Sequence, residues 1–292
     1  MKMKNPIART VLALALLAAG TTASAATVGH YEFSNSGPNP NSVPAITAAG
    51  HTAVGVEVPD AATLAGIDML FITNGYGSTT EYTDNFAAIS AAVNAGMTLV
   101  LHDRQVTGAG SLLPGGAGIS FFEEFTNDAD IDIPVGSPVL SGPGGTLDNS
   151  SLDGGNSSSH GYVDTTTLPA GGQVITHRAV ATQGVTIAYP YGAGTVIYST
   201  IPLDYYLDGN GPALVQQNMA EVYTPNLIAA YAGDTFAGCA GEGFVGDQLK
   251  LCKVICESPL TGKPITPLIR LWMNVYASAP PCATATMPAL VR

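Results

Sequence analysis

Short apolar runs recur along the first hundred residues, separated by stretches of Gly, Pro, Asn and Ser. Residues 27–33, 52–58, 68–73 and 97–101 read as four strands on this pattern. Between them, 43–49 reads as a short helix and 61–65 as one helical turn. Residues 81–94 form the clearest helix, because Phe86, Ile89 and Val93 recur at helical spacing on an alanine-rich background. Strands alternating with helices predict right-handed crossovers and a parallel sheet. Periodicity then weakens from Gly108 to Ala170, a length more typical of a functional insertion than of a plain connection. It returns in 173–176, 185–189 and 195–198, the last two joined by 190–194 as a hairpin. A helix over 212–232, interrupted near Pro225, closes the region.

The two ends of the chain differ from this body. Lys2, Lys4 and Arg9 precede the apolar run 11–19, and Ala23-Ser24-Ala25 has the small residues of a cleavage site. Residues 1–25 therefore read as an export signal, too short to span a bilayer, and the mature protein is expected to be secreted or periplasmic. All four cysteines, Cys239, Cys252, Cys256 and Cys282, fall in the last stretch. An even count in an exported chain favours two disulfides over a zinc site, and three pairings are open. Two short helices, 246–257 and 264–277, would make a helical hairpin too small to hold together without such staples.

Charge breaks at the same place. The whole chain carries a formal charge of −12, and loss of the first 25 residues deepens it to −15. Residues 26–234 hold 19 acids against Arg104 and Arg178 alone, whereas 235–292 hold three acids and five cations. This divides the chain into a body, 26–234, and a C-terminal module, 235–292. So acidic a body excludes nucleic acid and anionic membrane as partners, which need a basic face. No later segment reads as a membrane span.

The strand ends are where ligands bind in open α/β sheets. The fourth strand ends on His102, Asp103 and Arg104, a titratable group, a carboxylate and a rare cation side by side. The densest polar loop, 148–161, adds Asp153, Asn156 and His160, which could converge with His102 over the sheet edge. A Ser159–His160 nucleophilic pair is unattractive, because sequence neighbours seldom point at one another. Asp128, Asp130 and Asp132 alternate along an extended segment and could bind calcium, although the glycine and distal glutamate of an EF-hand are missing. His30, His51 and His177 lack partners in sequence and read as structural.

The helix ending in Ala95-Gly96, followed by the strand 98–101 and His102, resembles the class I glutamine amidotransferase-like superfamily, nearest the trehalose-utilisation-protein-like branch. Residues 191–200, a Gly-x-Gly turn into an apolar strand, and the closing helix 226–232 are similar to that branch. The resemblance spans about 27–232 and implies a flavodoxin-like three-layer sandwich with a mostly parallel sheet. Amidotransferase chemistry needs a cysteine at the turn after the strand and a later histidine to activate it. Here that turn carries His102-Asp103, the body has no cysteine, and 199–205 has no histidine. The expectation is an exported, non-glutaminase domain that binds a small ligand or glycan at the strand ends. Two alternatives are a secreted hydrolase, metal-assisted or not, acting on a sugar- or peptide-like substrate, and a non-enzymatic protein docked to an envelope component by its C-terminal module.

Overall fold

A computed structural model describes residues 25–77, 80–124, 130–155 and 157–232. Residues 1–25 as a signal, Asn156, Asp128, and the whole C-terminal module with Cys239, Cys252, Cys256 and Cys282 therefore lie outside the described residues, apart from Ala25. In chain order the strands are β1 Thr27–Glu32, β2 Thr52–Gly55, β3 Met69–Asn74, β4 Thr98–Asp103, β5 Phe121–Glu123, β6 Ser141–Gly142, β7 Gly145–Thr146, β8 Gly161–Asp164, β9 Gln173–His177, β10 Gln183–Tyr191 and β11 Gly194–Ser199. The helices are α1 Val43–Ala48, α2 Ala61–Leu64, α3 Thr80–Asp84, α4 Phe86–Ala95, α5 Leu203–Leu207, α6 Ala213–Gln217 and α7 Thr224–Tyr231.

The fold is a mixed α/β arrangement around one large sheet. Its order is β2-β1-β3-β4-β11-β10-β8-β5, with β9 also paired to β10. The first five strands in that order are parallel. Antiparallel pairing begins at the β10–β11 hairpin and runs on through β8 to β5. Chain order reverses between β1 and β3, the kind of switch point beside which α/β sheets bind ligands.

Alternation along the central strands builds two cores. Met69, Phe71, Val100 and Ile197 pack on one face with Ile46 of α1, Leu203 of α5 and Leu227 of α7. Leu70, Ile72, Leu99, Leu101, Val196 and Tyr198 pack on the other with Leu64 of α2, Tyr82 of α3 and Val93 of α4. Every residue of β3 and β4 is buried, because both faces of the sheet are covered. Among the described residues no helix is long and apolar enough to cross a membrane.

Three expectations change. The helix over 81–94 is two pieces: Asn85 leaves helical geometry, and its side-chain amide donates to the Glu81 carbonyl at 2.8 Å. A local side-chain bond thus replaces a helical one. The break in 212–232 falls before Pro225, as a π-helical turn over Asn218–Tyr223. Proline has no N–H to offer the carbonyl four residues back, so the preceding turn widens, and the Thr224 hydroxyl donates to Met219 O at 2.6 Å. Finally, β4 does not stop at Leu101. It pairs through His102 with Ser199 of β11 and through Asp103 with Asn74 of β3.

The chain enters and leaves the described domain at the amino ends of the parallel strands. Ala26 N donates to His51 Nδ1 at 3.2 Å, Thr27 N to Asp68 Oδ2 at 2.7 Å, and Thr98 Oγ1 to the Tyr231 carbonyl at 3.2 Å. Packing is close at the β10–β11 turn. A Cβ on Gly194 would press into the backbone carbonyl oxygens of Val93 and Met97. Gly194→Ala is expected to lower stability by about 2–3 kcal/mol in urea unfolding, because neither carbonyl can move without disturbing α4 and β4. An unchanged midpoint would show that this junction yields.

Candidate functional site

Arg104 is the first residue beyond β4, and its guanidinium reaches Asp204 of α5 with Nη2 2.8 Å from Oδ2. Tyr76 and Tyr205 stand around it, with ring centroids 5.6 Å and 5.7 Å from the guanidinium carbon. That is cation–π range. Asp204 is only 8% exposed, while Tyr76 is 78% exposed. Gly75 makes this closeness sterically feasible, since a Cβ there would lie 2.8 Å from Asp204 Oδ2 and 2.9 Å from Ser34 Oγ. The pair is not satisfied: Arg104 Nε and Asp204 Oδ1 are both buried without a hydrogen-bond partner. One is a donor and the other an acceptor.

The turn that aims Arg104 is strained. Val106, a β-branched residue, adopts φ 55° while fully buried. Such residues avoid the left-handed region, and departures from that rule cluster at functional sites. Gln105 ties the turn to β3, donating from Nε2 to the Gly75 carbonyl at 2.9 Å and from its backbone N to Asp103 Oδ1 at 2.9 Å.

Two further carboxylates stand near. Glu32 ends β1, accepting from Asn35 Nδ2 at 2.9 Å, and Asp208 follows α5, accepting from Asn41 Nδ2 at 2.6 Å. Burial, then the charges of Asp208 and Asp204, push the Glu32 carboxyl up. Burial also raises Asp204, outweighing the pull of Arg104.

The structure separates the residues expected to act together. Asp103 and His102 are neighbours on a strand, so they point to opposite faces. Asp103 is fully buried, accepting from Asn74 Nδ2 at 2.7 Å and from the Tyr198 hydroxyl at 3.3 Å, and burial raises its pKa. His102 packs beneath the sheet against Phe71 and Tyr223, with Nε2 3.4 Å from the Tyr223 hydroxyl. Burial pushes it down to about 3. His160 does meet Arg104: its Nδ1 lies 3.1 Å from the Arg104 carbonyl oxygen, and burial followed by the Arg104 charge holds it down to about 4. Asp153 is committed elsewhere, accepting from the Ile131 N–H at 2.7 Å.

Of the acidic triplet, Asp132 lies within the described residues, accepts from the Asn149 amide and pairs in backbone register with His177. Asp130 is described as exposed. Among the described residues no group of three or more His, Cys, Asp or Glu is arranged to hold a metal ion. His51 accepts a backbone hydrogen bond and His177 sits in a strand; His30 is buried, with Nδ1 unpaired.

Asp204, Tyr76 and Tyr205 were not singled out by sequence. Their shared signal is position: each follows a parallel strand, Tyr76 after β3 and Asp204-Tyr205 after β11.

No family model and no curated protein matches the chain. Among solved structures it is similar to the exo-β-1,4-mannosidase Op5Man5 from Opitutaceae bacterium strain TAV5, at 14% identity and TM-score 0.41 over 70% of this chain and 36% of that one. It is also similar to the β-galactosidase from Rahnella sp. R3, at 16% identity and TM-score 0.41 over 70% and 31%. A third is the β-galactosidase from Bacillus circulans sp. alkalophilus, at 13% identity and TM-score 0.36 over 68% and 30%. The chain thus spans about a third of the length of these proteins.

Proposed function

We propose that the body is a non-glutaminase, flavodoxin-like domain of the amidotransferase-like type that binds a small polyhydroxylated ligand, a mono- or oligosaccharide, at Arg104 and Asp204. In this reading residues 1–25 direct export, and the C-terminal cysteines form disulfides. The parallel strand order β2-β1-β3-β4-β11 supports the flavodoxin-like assignment. The lack of any cysteine in residues 26–232 supports the loss of glutaminase chemistry.

One observation carries the ligand class. An ion pair set between two tyrosines at the strand ends keeps a buried donor and a buried acceptor unpaired. Such groups are costly until satisfied. A sugar hydroxyl both accepts and donates, so a local opening that admits one or two hydroxyls satisfies both atoms. The exposed Tyr76 ring supplies a flat apolar face for the C–H side of a pyranose. Phosphates and carboxylates fit badly, because Glu32, Asp204 and Asp208 outnumber Arg104.

The test is calorimetric titration of the purified chain with a panel of neutral mono- and oligosaccharides. Tyr76→Ala is expected to weaken binding by about 3–10-fold, the loss of one aromatic contact, with the melting temperature unchanged. Arg104→Met is expected to weaken it by more than about 10-fold. A panel with no binder, or wild-type affinity in both variants, overturns the reading.

A further inference from the structure

We propose that the π-helical turn 218–223 is an acid-released latch, which lifts off the sheet when His102 beneath it takes up a proton while the strands stay paired. The inference is independent of the carbohydrate reading.

A row of polar side chains crosses the sheet under this turn. Thr73, His102 and Ser199 stand in register on β3, β4 and β11, and Thr186 of β10 stands opposite Ser199. All four are buried. Tyr223, the last residue of the turn, links it to the row. Its hydroxyl lies 2.8 Å from Thr186 Oγ1 and 3.4 Å from His102 Nε2, and Thr186 Oγ1 lies 2.9 Å from Ser199 Oγ. With the imidazole proton on Nε2 the bonds run one way, from His102 through Tyr223 and Thr186 to Ser199. Nδ1 then keeps a bare lone pair. It is buried, and no acceptor among the described residues faces it. A charged ring carries N–H on both nitrogens, so protonation puts a donor and a positive charge where nothing answers either.

No carboxylate stands ready to offset that charge. Phe71 and Tyr223 enclose the ring. Of the elements around it, α1 and β3 carry no titratable side chain. Tyr198 of β11 and Tyr189 of β10 pack on the opposite face, as does Asp103. Glu221 of the turn is exposed beside Gln217. On α5, Asp204 pairs with Arg104, and the Tyr206 hydroxyl donates to the Ser157 carbonyl. Tyr231 lies at the far end of α7, and His30 and Glu32 are one strand further away on β1.

The turn is the element that gives way. It buries two side chains, Met219 and Tyr223, whereas α7 buries all of 224–228. Backbone ladders to β3 and β11 hold β4 on both sides. Single π-turns recur at functional sites, and segments of this size open independently in native proteins. α5, which carries Asp204 and Tyr205, packs on the same turn, so the latch lies one contact from the Arg104 ion pair.

Hydrogen exchange of the purified chain at pH 7 and pH 5, corrected for the intrinsic chemical rate, tests this. A folded value of about 3 for His102, against about 6.5 once the turn is open, sets the size of the effect. Protection at 219–224 is expected to fall by about 25-fold from pH 7 to pH 5. At pH 5 these amides are expected to exchange at least about tenfold faster than those of β3 and β4. In His102→Met the corrected protection is expected to change less than about threefold. Should that variant not fold, Tyr223→Phe carries the comparison: it keeps the ring and is expected to open the turn already at pH 7. Constant protection in the wild type overturns the latch, and so does exchange of 219–224 in step with β3 and β4, the mark of global unfolding. A pH response that survives in His102→Met, or unchanged protection in Tyr223→Phe, overturns it as well.

Discussion

Arg178→Leu is expected to lower the stability of the domain by about 3 kcal/mol or more, measured by urea unfolding at neutral pH. The side chain is 1% exposed and donates hydrogen bonds from Nε to Ser159 Oγ at 3.0 Å, from Nη1 to Glu124 Oε2 at 2.8 Å and from Nη2 to the Glu124 carbonyl at 3.2 Å. Its guanidinium carbon lies 5.3 Å from the Tyr162 ring centroid. Leucine keeps part of the volume and none of the donors, so the buried Ser159 hydroxyl loses its partner. The same segment carries His160, whose N–H donates to the Thr200 carbonyl and whose carbonyl accepts from Glu124 N, both at 2.9 Å. Loosening there is expected to appear as faster hydrogen exchange in residues 157–161. Glu124→Gln should cost much less, because that carboxylate is half exposed. Equal costs for the two variants would show that the buried guanidinium is not what holds the segment.

The second large effect is acid lability centred on His102. Its folded pKa of about 3 lies below the ordinary histidine value near 6.5, and burial is the cause. The unfolded chain therefore binds more protons between those limits, and stability is lost as the pH is lowered through that window. The stabilising contribution is complete above about pH 6.5. At pH 5 the expected loss from this one group is about 2 kcal/mol. The raised carboxyls of Asp103, Asp204 and Glu32 act in the opposite sense, so the wild-type profile alone does not isolate the histidine. A His102→Met variant does. It keeps the apolar contact with Phe71, and Tyr223 keeps its 2.8 Å bond to Thr186. The gap in unfolding free energy between wild type and variant should narrow by about 2 kcal/mol from pH 7 to pH 5. Parallel profiles would show that His102 titrates with water access.

How far the chain's pattern leads differs between frame and site. Met69 to Ile72 and Leu99 to Leu101 are apolar at each position because helices cover both faces, so strand identity is legible there. The hairpin 185–198 is legible for the same reason. Polarity misleads at the strand's end, where His102 and Asp103 look like loop but are held in the sheet by Ser199 and Asn74. Period two, continued past Leu101, separates the pair: Asp103 follows Leu99 and Leu101, and His102 follows Val100. Arg104 stands out because cations are scarce. Its partner Asp204 lies a hundred residues away, and only the parallel pairing of β4 with β11 brings them together.

The described domain begins and ends on one edge of its sheet. Ala26 and Tyr231 lie at the amino ends of the strands, and the Arg104–Asp204 pair lies at the carboxyl ends. A six-residue strand puts about 20 Å of packed sheet between them. The Arg104–Asp204 pair and the two points where the backbone enters and leaves the described domain therefore lie at opposite edges of the sheet.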